Sequence, residues 1–139
     1  MNGPGLPPIQ LIANLVVVTP ADEVLLVRYD AENERWWLPG SDLGAEEHPD
    51  EAARRVLAEF PGVSVRSVTM AGVESFRGRR GWHMVFHYRV DADGQPEARV
   101  PARWFAVSDF PRTEHGKWER DVVHRVLRGA PSPQPSPRS

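Results

Sequence analysis

The order of apolar and polar positions lays out most of the chain's elements. Residues 15–18, Leu-Val-Val-Val, form a largely β-branched run suited to a buried strand within residues 9–19. Residues 24–29, Val-Leu-Leu-Val-Arg-Tyr, predict a second strand, and the turn Pro20-Ala21-Asp22-Glu23 makes the two a hairpin. Residues 36–38, Trp-Trp-Leu, read as a short strand broken by Pro39-Gly40 and followed by an acidic loop. Residues 63–76 carry apolar side chains at 63, 65, 68, 70 and 73 with polar ones between, which predicts one or two strands. Residues 82–90 put Trp82, Met84, Phe86 and Tyr88 on one side and His83, Val85, His87 and Arg89 on the other. A turn follows at residues 91–94. A last strand over 100–107 contains Pro101, which marks it as an edge.

Two stretches change period. Ala53, Val56, Leu57 and Phe60 recur at helical spacing behind Pro49-Asp50, a suitable helix start, and Pro61-Gly62 stops them. Helix one is therefore expected near 50–60. Trp118, Val122, Val123, Val126 and Leu127 make a second apolar stripe, ended by Gly129, so helix two is expected near 116–128. Strands on both sides of one helix, then a closing helix, predict an α/β fold with a mixed sheet between helices. Residues 1–9 read as a flexible Gly/Pro lead, 10–129 as the domain, and the Pro/Ser-rich 130–139 as a disordered tail.

Composition narrows the function classes. A length of 139 residues suits one domain with its own core. A formal net charge of -2 argues against a general nucleic-acid or membrane-surface role. The absence of cysteine excludes disulfides, a thiolate nucleophile and cysteine-ligated zinc. No apolar run is long enough to span a bilayer, and the N-terminus lacks the basic start of a signal peptide, so a cytoplasmic location is expected.

The loop, helix and stop of residues 40–63 resemble the Nudix box, whose pattern is a glycine, five residues, a glutamate, seven residues, then Arg-Glu-apolar-any-Glu-Glu-any-Gly-apolar. Glu47, Arg55, Leu57, Glu59 and Gly62-Val63 match it, whereas Ser41 stands at the first glycine and Val56 and Phe60 at two of the three helix carboxylates. Leu38-Pro39-Gly40 before the box, and Arg103-Trp104-Phe105 with Asp109-Phe110-Pro111 after it, also resemble the family. The resemblance implies an α/β/α sandwich and magnesium-dependent hydrolysis of a nucleoside diphosphate linked to another moiety. It also implies Glu47, Glu59 and Arg55 as the catalytic set, Glu59 and Glu47 as metal ligands, and a structural role for Arg55 in orienting a box glutamate.

The departures bear directly on the chemistry. Magnesium prefers oxygen ligands in near-octahedral geometry, and carboxylates at helix positions i, i+3 and i+4 share the face that could gather it. Val, Glu and Phe occupy those positions here, so metal binding is expected to be weak or absent and activity weak or lost. The alternative is a non-catalytic module that binds a nucleotide or a protein partner. Val56 and Phe60 either enlarge the core stripe or turn the metal face into an apolar surface for a partner or a non-phosphate ligand.

Other candidates have plainer readings beside them. Trp37, Arg77 and Arg80 are the substrate-binding candidates. A tryptophan could stack a base and the arginines contact phosphate, although strand aromatics are mostly core and basic hairpin tips mostly solvated. Glu46, Asp50 and Glu51 could stand in as ligands or simply be a solvated loop and helix-start charges. Glu51, Arg55 and Glu59, four residues apart, could pair on the surface. His83 and His87 share a strand face but lie roughly 13 Å apart, too far for one metal. Glu114 and His115 fall in the loop before helix two, where a lid could be. The expected partners are a small-molecule nucleotide or other diphosphate and a second copy in a homodimer, with no membrane and no nucleic acid.

Overall fold

The computed structural model of the chain describes residues 9–30, 32 and 34–129. The tail expected over 130–139 and most of the lead over 1–9 lie outside them. The elements run β1 Ile9–Val18, β2 Glu23–Val27, β3 Gly40–Asp42, α1 Pro49–Leu57, β4 Val63–Gly78, β5 Gly81–Gly94, β6 Ala102–Ala106 and α2 Trp118–Leu127. They form a six-stranded mixed sheet in the order β4-β5-β1-β2-β6, with β3 also on β1. β1 runs parallel to β5 from Ile9↔Trp82 to Val18↔Asp91 and antiparallel to β2 and β3.

The unbroken run 15–18 is the centre of the molecule because it is covered on both sides. Leu15 and Val17 join Leu25, Val27, Tyr88 and Val90 in one core cluster beneath α1. Val16 and Val18 join Val24, Leu26, Trp36 and Leu38 in another beneath α2. Continuous apolar sequence is what a strand with two buried faces requires. The α/β fold expected from the pattern is the one observed.

Several boundaries moved, each for a local reason. Residues 36–38 are not a strand: Trp37 exchanges both backbone hydrogen bonds with Val27, at 2.9 and 2.8 Å, while Trp36 bonds the backbone of Arg112 and Glu114 instead. Consecutive residues thus serve different partners, and Trp36 and Trp37 go to opposite core clusters, as alternation requires. The strand comes four residues later, as β3, where a break was expected. Gly40 is needed there because a Cβ would come within 2.8 Å of the Ala13 carbonyl on β1. α2 starts at Trp118 because Gly116, at φ +68°, is left-handed rather than helical. β4 is one strand, kept in register with β5 by irregularities between Val65 and Ser67 and between Met70 and Gly72. Pro101 precedes β6, which is indeed an outer strand of the sheet.

Candidate functional site

α1 begins with a reciprocal cap. The His48 side chain accepts from the Asp50 N–H at 3.0 Å, and Glu51 accepts from the His48 N–H at 2.8 Å. With Pro49 at the first helical position, this fixes the helix start and the rotation of its faces. Val56 and Phe60 are then turned into the core at 0% and 1% exposure, against Leu15, Val17, Tyr88 and Val90. Of the two readings of this pair, the core reading holds, and neither side chain offers a surface. Glu59 points outward and is exposed. Its carboxyl is raised above the ordinary value by partial burial, with Arg55 opposing.

Arg55 closes the loop onto the helix. Its Nε and Nη2 donate to the two oxygens of Glu47 at 3.0 and 2.9 Å, Nη1 to Ser41 Oγ at 3.1 Å, and Nη2 also to the Asp42 carbonyl at 3.0 Å. Glu47 Oε1 further accepts the Gly44 N–H at 2.7 Å. The Arg55 hydrogen bonds, then the Gly44 amide, hold the Glu47 carboxyl down at about 2. A forked, two-oxygen contact of this kind is the geometry arginine is built for. Arg55 therefore pairs with Glu47 rather than hydrogen-bonding Glu51 or Glu59. Asp50 is taken by the Tyr88 hydroxyl, and Glu51 by the cap.

These residues do not fit a magnesium ion. Both Glu47 oxygens already accept charged or amide donors, Glu59 lies two residues past the end of α1, and the two neighbouring box positions are hydrocarbon within the core. Among the described residues no group of three or more His, Asp or Glu side chains could hold a metal.

The opening beside the box lies on the α2 side of the sheet and measures about 600 Å³. Its floor is Ile12 and Asn14 on β1 and Val85 and His83 on β5. One wall is Gly40, Ser41 and Asp42 of β3, the same residues that Arg55 ties to Glu47. Tyr29, Trp37, Phe76, His115 and Trp118 supply aromatic surface around it, and Glu119 lies at its inner edge. Trp37, from the substrate-binding set, is thus in the cleft. Its buried indole N–H has no acceptor among the described residues. Tyr29 is fixed by two hydrogen bonds with the Gly40 backbone, at 3.3 and 3.1 Å, and burial raises its hydroxyl above the ordinary value.

Arg77 and Arg80 are not brought to this cleft. Arg77 pairs with Trp82 across the β4–β5 hairpin, one register position from the Phe76–His83 pair that lines the opening, so it projects from the opposite face. Arg80 sits in the exposed hairpin turn.

Two polar networks near the cleft escaped the sequence reading. Buried Asn14 bonds His87 Nδ1 at 3.0 Å, and His87 Nε2 meets Glu74 at 2.9 Å. Glu74 also meets Arg125 at 3.3 Å and the Trp118 indole at 3.5 Å. Burial depresses the His87 pKa, more than Glu74 raises it, so the ring is neutral, with Nδ1 accepting from Asn14 and Nε2–H donating to Glu74. The second network is His115 Nδ1 to Glu119 at 2.7 Å, with the His115 N–H donating to both Glu119 oxygens at 3.2 Å. An i, i+4 His–Glu spacing was visible in the sequence. What hid the pair was that Glu119 stands in the charged run Glu119-Arg120-Asp121 at the start of α2 and gave no sign of being buried.

Comparison with known proteins follows the same outline. A family model, the NUDIX domain, matches residues 9–126. Two mouse proteins, diphosphoinositol polyphosphate phosphohydrolase 3-alpha and 3-beta, are each 33% identical over 94 residues, covering 63% of this chain and 57% of theirs. The chain thus spans little more than half the length of these curated relatives. Among solved structures, the MutT NUDIX hydrolase from Burkholderia pseudomallei has a TM-score of 0.68 at 21% identity, covering 86% of this chain and 98% of that one. The NUDIX domain of Shewanella oneidensis NrtR, complexed with ADP ribose, has a TM-score of 0.66 at 19% identity, covering 91% and 94%. At these identities the solved structures speak for the fold alone.

Proposed function

The chain belongs to the NUDIX domain family, and from that premise we propose that it binds a nucleoside diphosphate linked to another moiety and hydrolyses it weakly or not at all. Enzymes of this family generally use divalent metals. The observation that carries the reading is the burial of Val56 and Phe60 in the core at the two box positions where carboxylates are expected. Magnesium bound through Glu59 would keep most of its shell as water and be held weakly. Glu47 and Arg55 then act as a brace that shapes the β3 wall of the cleft, and neither is free to ligate or to move a proton.

Binding itself has support from the cleft. Trp37, Tyr29, Phe76 and Trp118 give a planar group aromatic faces to lie against, and base–aromatic stacking is worth about 1–3 kcal/mol per base. If turnover is nil, the same cleft serves a non-catalytic nucleotide-binding module.

The test is a hydrolysis assay on nucleotide sugars, dinucleotides and nucleoside triphosphates, with magnesium and with chelator. A Lewis-acid metal contributes several kcal/mol to the transition state, and each ~1.4 kcal/mol is about tenfold in rate. Turnover should therefore lie orders of magnitude below that of a relative with an intact box assayed in parallel. Brisk magnesium-dependent hydrolysis by the wild type would defeat the reading.

A further inference from the structure

Among the described residues, no lysine or arginine lines the cleft. Its carboxylates are Asp42 and Glu119, and its basic groups are two imidazoles, His83 and His115. While His115 is neutral, a phosphate entering the cleft faces the carboxylates of Asp42 and Glu119 with no ammonium or guanidinium among the described lining residues. His83 lies flat on Phe76, with ring centroids 5.2 Å apart. His115 is differently held. Glu119, only 1% exposed, takes both its backbone N–H and its Nδ1, while the ring stands edge-on to Trp37 at 5.2 Å and to Trp118 at 5.6 Å. With Nδ1 engaged, Nε2 is the ring's remaining polar atom, on a side chain that is half exposed and lines the cleft.

From this arrangement we propose that the His115–Glu119 pair is a protonation switch for anion binding in the cleft. Protonated His115 offers Nε2–H to a phosphate oxygen of the ligand and cancels the charge of Glu119, and neutral His115 does neither. The proposal rests on the nucleotide-binding reading above for the identity of the anion. The Glu119 hydrogen bond, against some burial, holds His115 above the ordinary histidine value, with the charges of Glu119 and Glu114 adding to it. The other groups facing this region are Asp42 from β3, His83 from β5, and Glu74 from β4. Glu74 reaches the neighbouring Trp118 and is itself paired with His87 and Arg125. Arg125 is taken up by Glu74, and imidazoles are the basic groups among the described residues that line the cleft, so anion binding and protonation of His115 strengthen each other.

Calorimetric titration in chelator with ADP-ribose and with adenosine tests the switch. The diphosphate diester of ADP-ribose keeps its charge across the range used, and adenosine has no phosphate. ADP-ribose affinity should rise about tenfold as pH falls from about 8.5 to about 6, while adenosine affinity stays flat. In His115→Asn, which can still donate to Glu119, ADP-ribose should bind at the weak high-pH level throughout. A flat wild-type profile, or a slope retained in the variant, overturns the switch while leaving the nucleotide reading intact. If neither ligand binds, the nucleotide reading fails, and the switch is judged on the wild type by NMR of the His115 ring with sodium sulfate against matched chloride. An upward move of its titration midpoint with sulfate is expected, and no move overturns the proposal.

Discussion

Val56 and Phe60 decide more about this protein than any charged residue does. Both sit in the cluster that joins α1 to the sheet, at 0% and 1% exposure. A glutamate at either position would have to enter hydrocarbon with no cation nearby, which costs several kcal/mol or forces the carboxyl to stay protonated. Val56→Glu should therefore lower unfolding stability by about 3 kcal/mol or more, read as a fall in the urea midpoint. Glu59→Gln, one turn further on and exposed, should stay within about 0.5 kcal/mol of wild type. Rebuilding the box by Val56→Glu with Phe60→Glu should accordingly unfold the chain before it restores a metal site. A folded, magnesium-binding double variant would show that the helix face is less committed to the core than its burial indicates.

At the scale of the element, α1 is set by its cap at one end and by Arg55 along its length. Removing the reciprocal cap by Glu51→Ala should cost about 1 kcal/mol in denaturant unfolding. The Arg55–Glu47 contact has a pH signature. The Glu47 carboxyl falls from an ordinary 4.5 to about 2 in the folded state, so the folded chain favours the ionised form. That contribution is fully present above about pH 4.5 and is lost as pH falls through about 2. In Arg55→Met the acid limb of stability between these values should flatten, and a limb unchanged from wild type would mean the contact contributes nothing in solution. Part of this was legible beforehand: the double-faced run 15–18 and the α1 stripe follow from residue type and spacing, whereas spacing paired Arg55 with Glu51 and Glu59, and only the family resemblance implied a box glutamate as its partner. The cleft was not legible. Asn14 lies inside an apolar run, Glu74 among alternating strand residues and Glu119 inside a helical stripe, so each looked like local punctuation. Only the parallel pairing of β1 with β5 sets Asn14 beside His87, across 73 positions of sequence. Strand spacing bears on His83 and His87 only as a metal pair and says nothing of their other roles.

For the whole molecule, the sheet separates two surfaces with different tasks. α1 and its core lie on one side, and the aromatic cleft lies on the other, under α2. The box loop ties them together through Arg55 to Ser41 and Asp42, and Trp37 packs against the α1 core while lining the cleft. Among the described residues no helix is long and apolar enough to cross a membrane. This division predicts how metal and ligand affect stability. A ligand that binds only the folded state stabilises it by RT ln(1 + [L]/Kd), about 2.7 kcal/mol at a hundredfold excess over Kd, which is several degrees of Tm for a domain of this size. ADP-ribose at such an excess should therefore raise Tm by several degrees at about pH 6, and equally in magnesium and in chelator. Without ligand, exchanging magnesium for chelator should leave Tm unchanged, because Glu59 alone cannot supply the binding energy that a metal shift requires. Trp37→Ala should abolish the ADP-ribose shift, and its own baseline Tm separates lost stacking from lost packing. A shift that appears only with magnesium would mean that carboxylates gather around the ligand in solution, and the weak-metal reading would have to be given up.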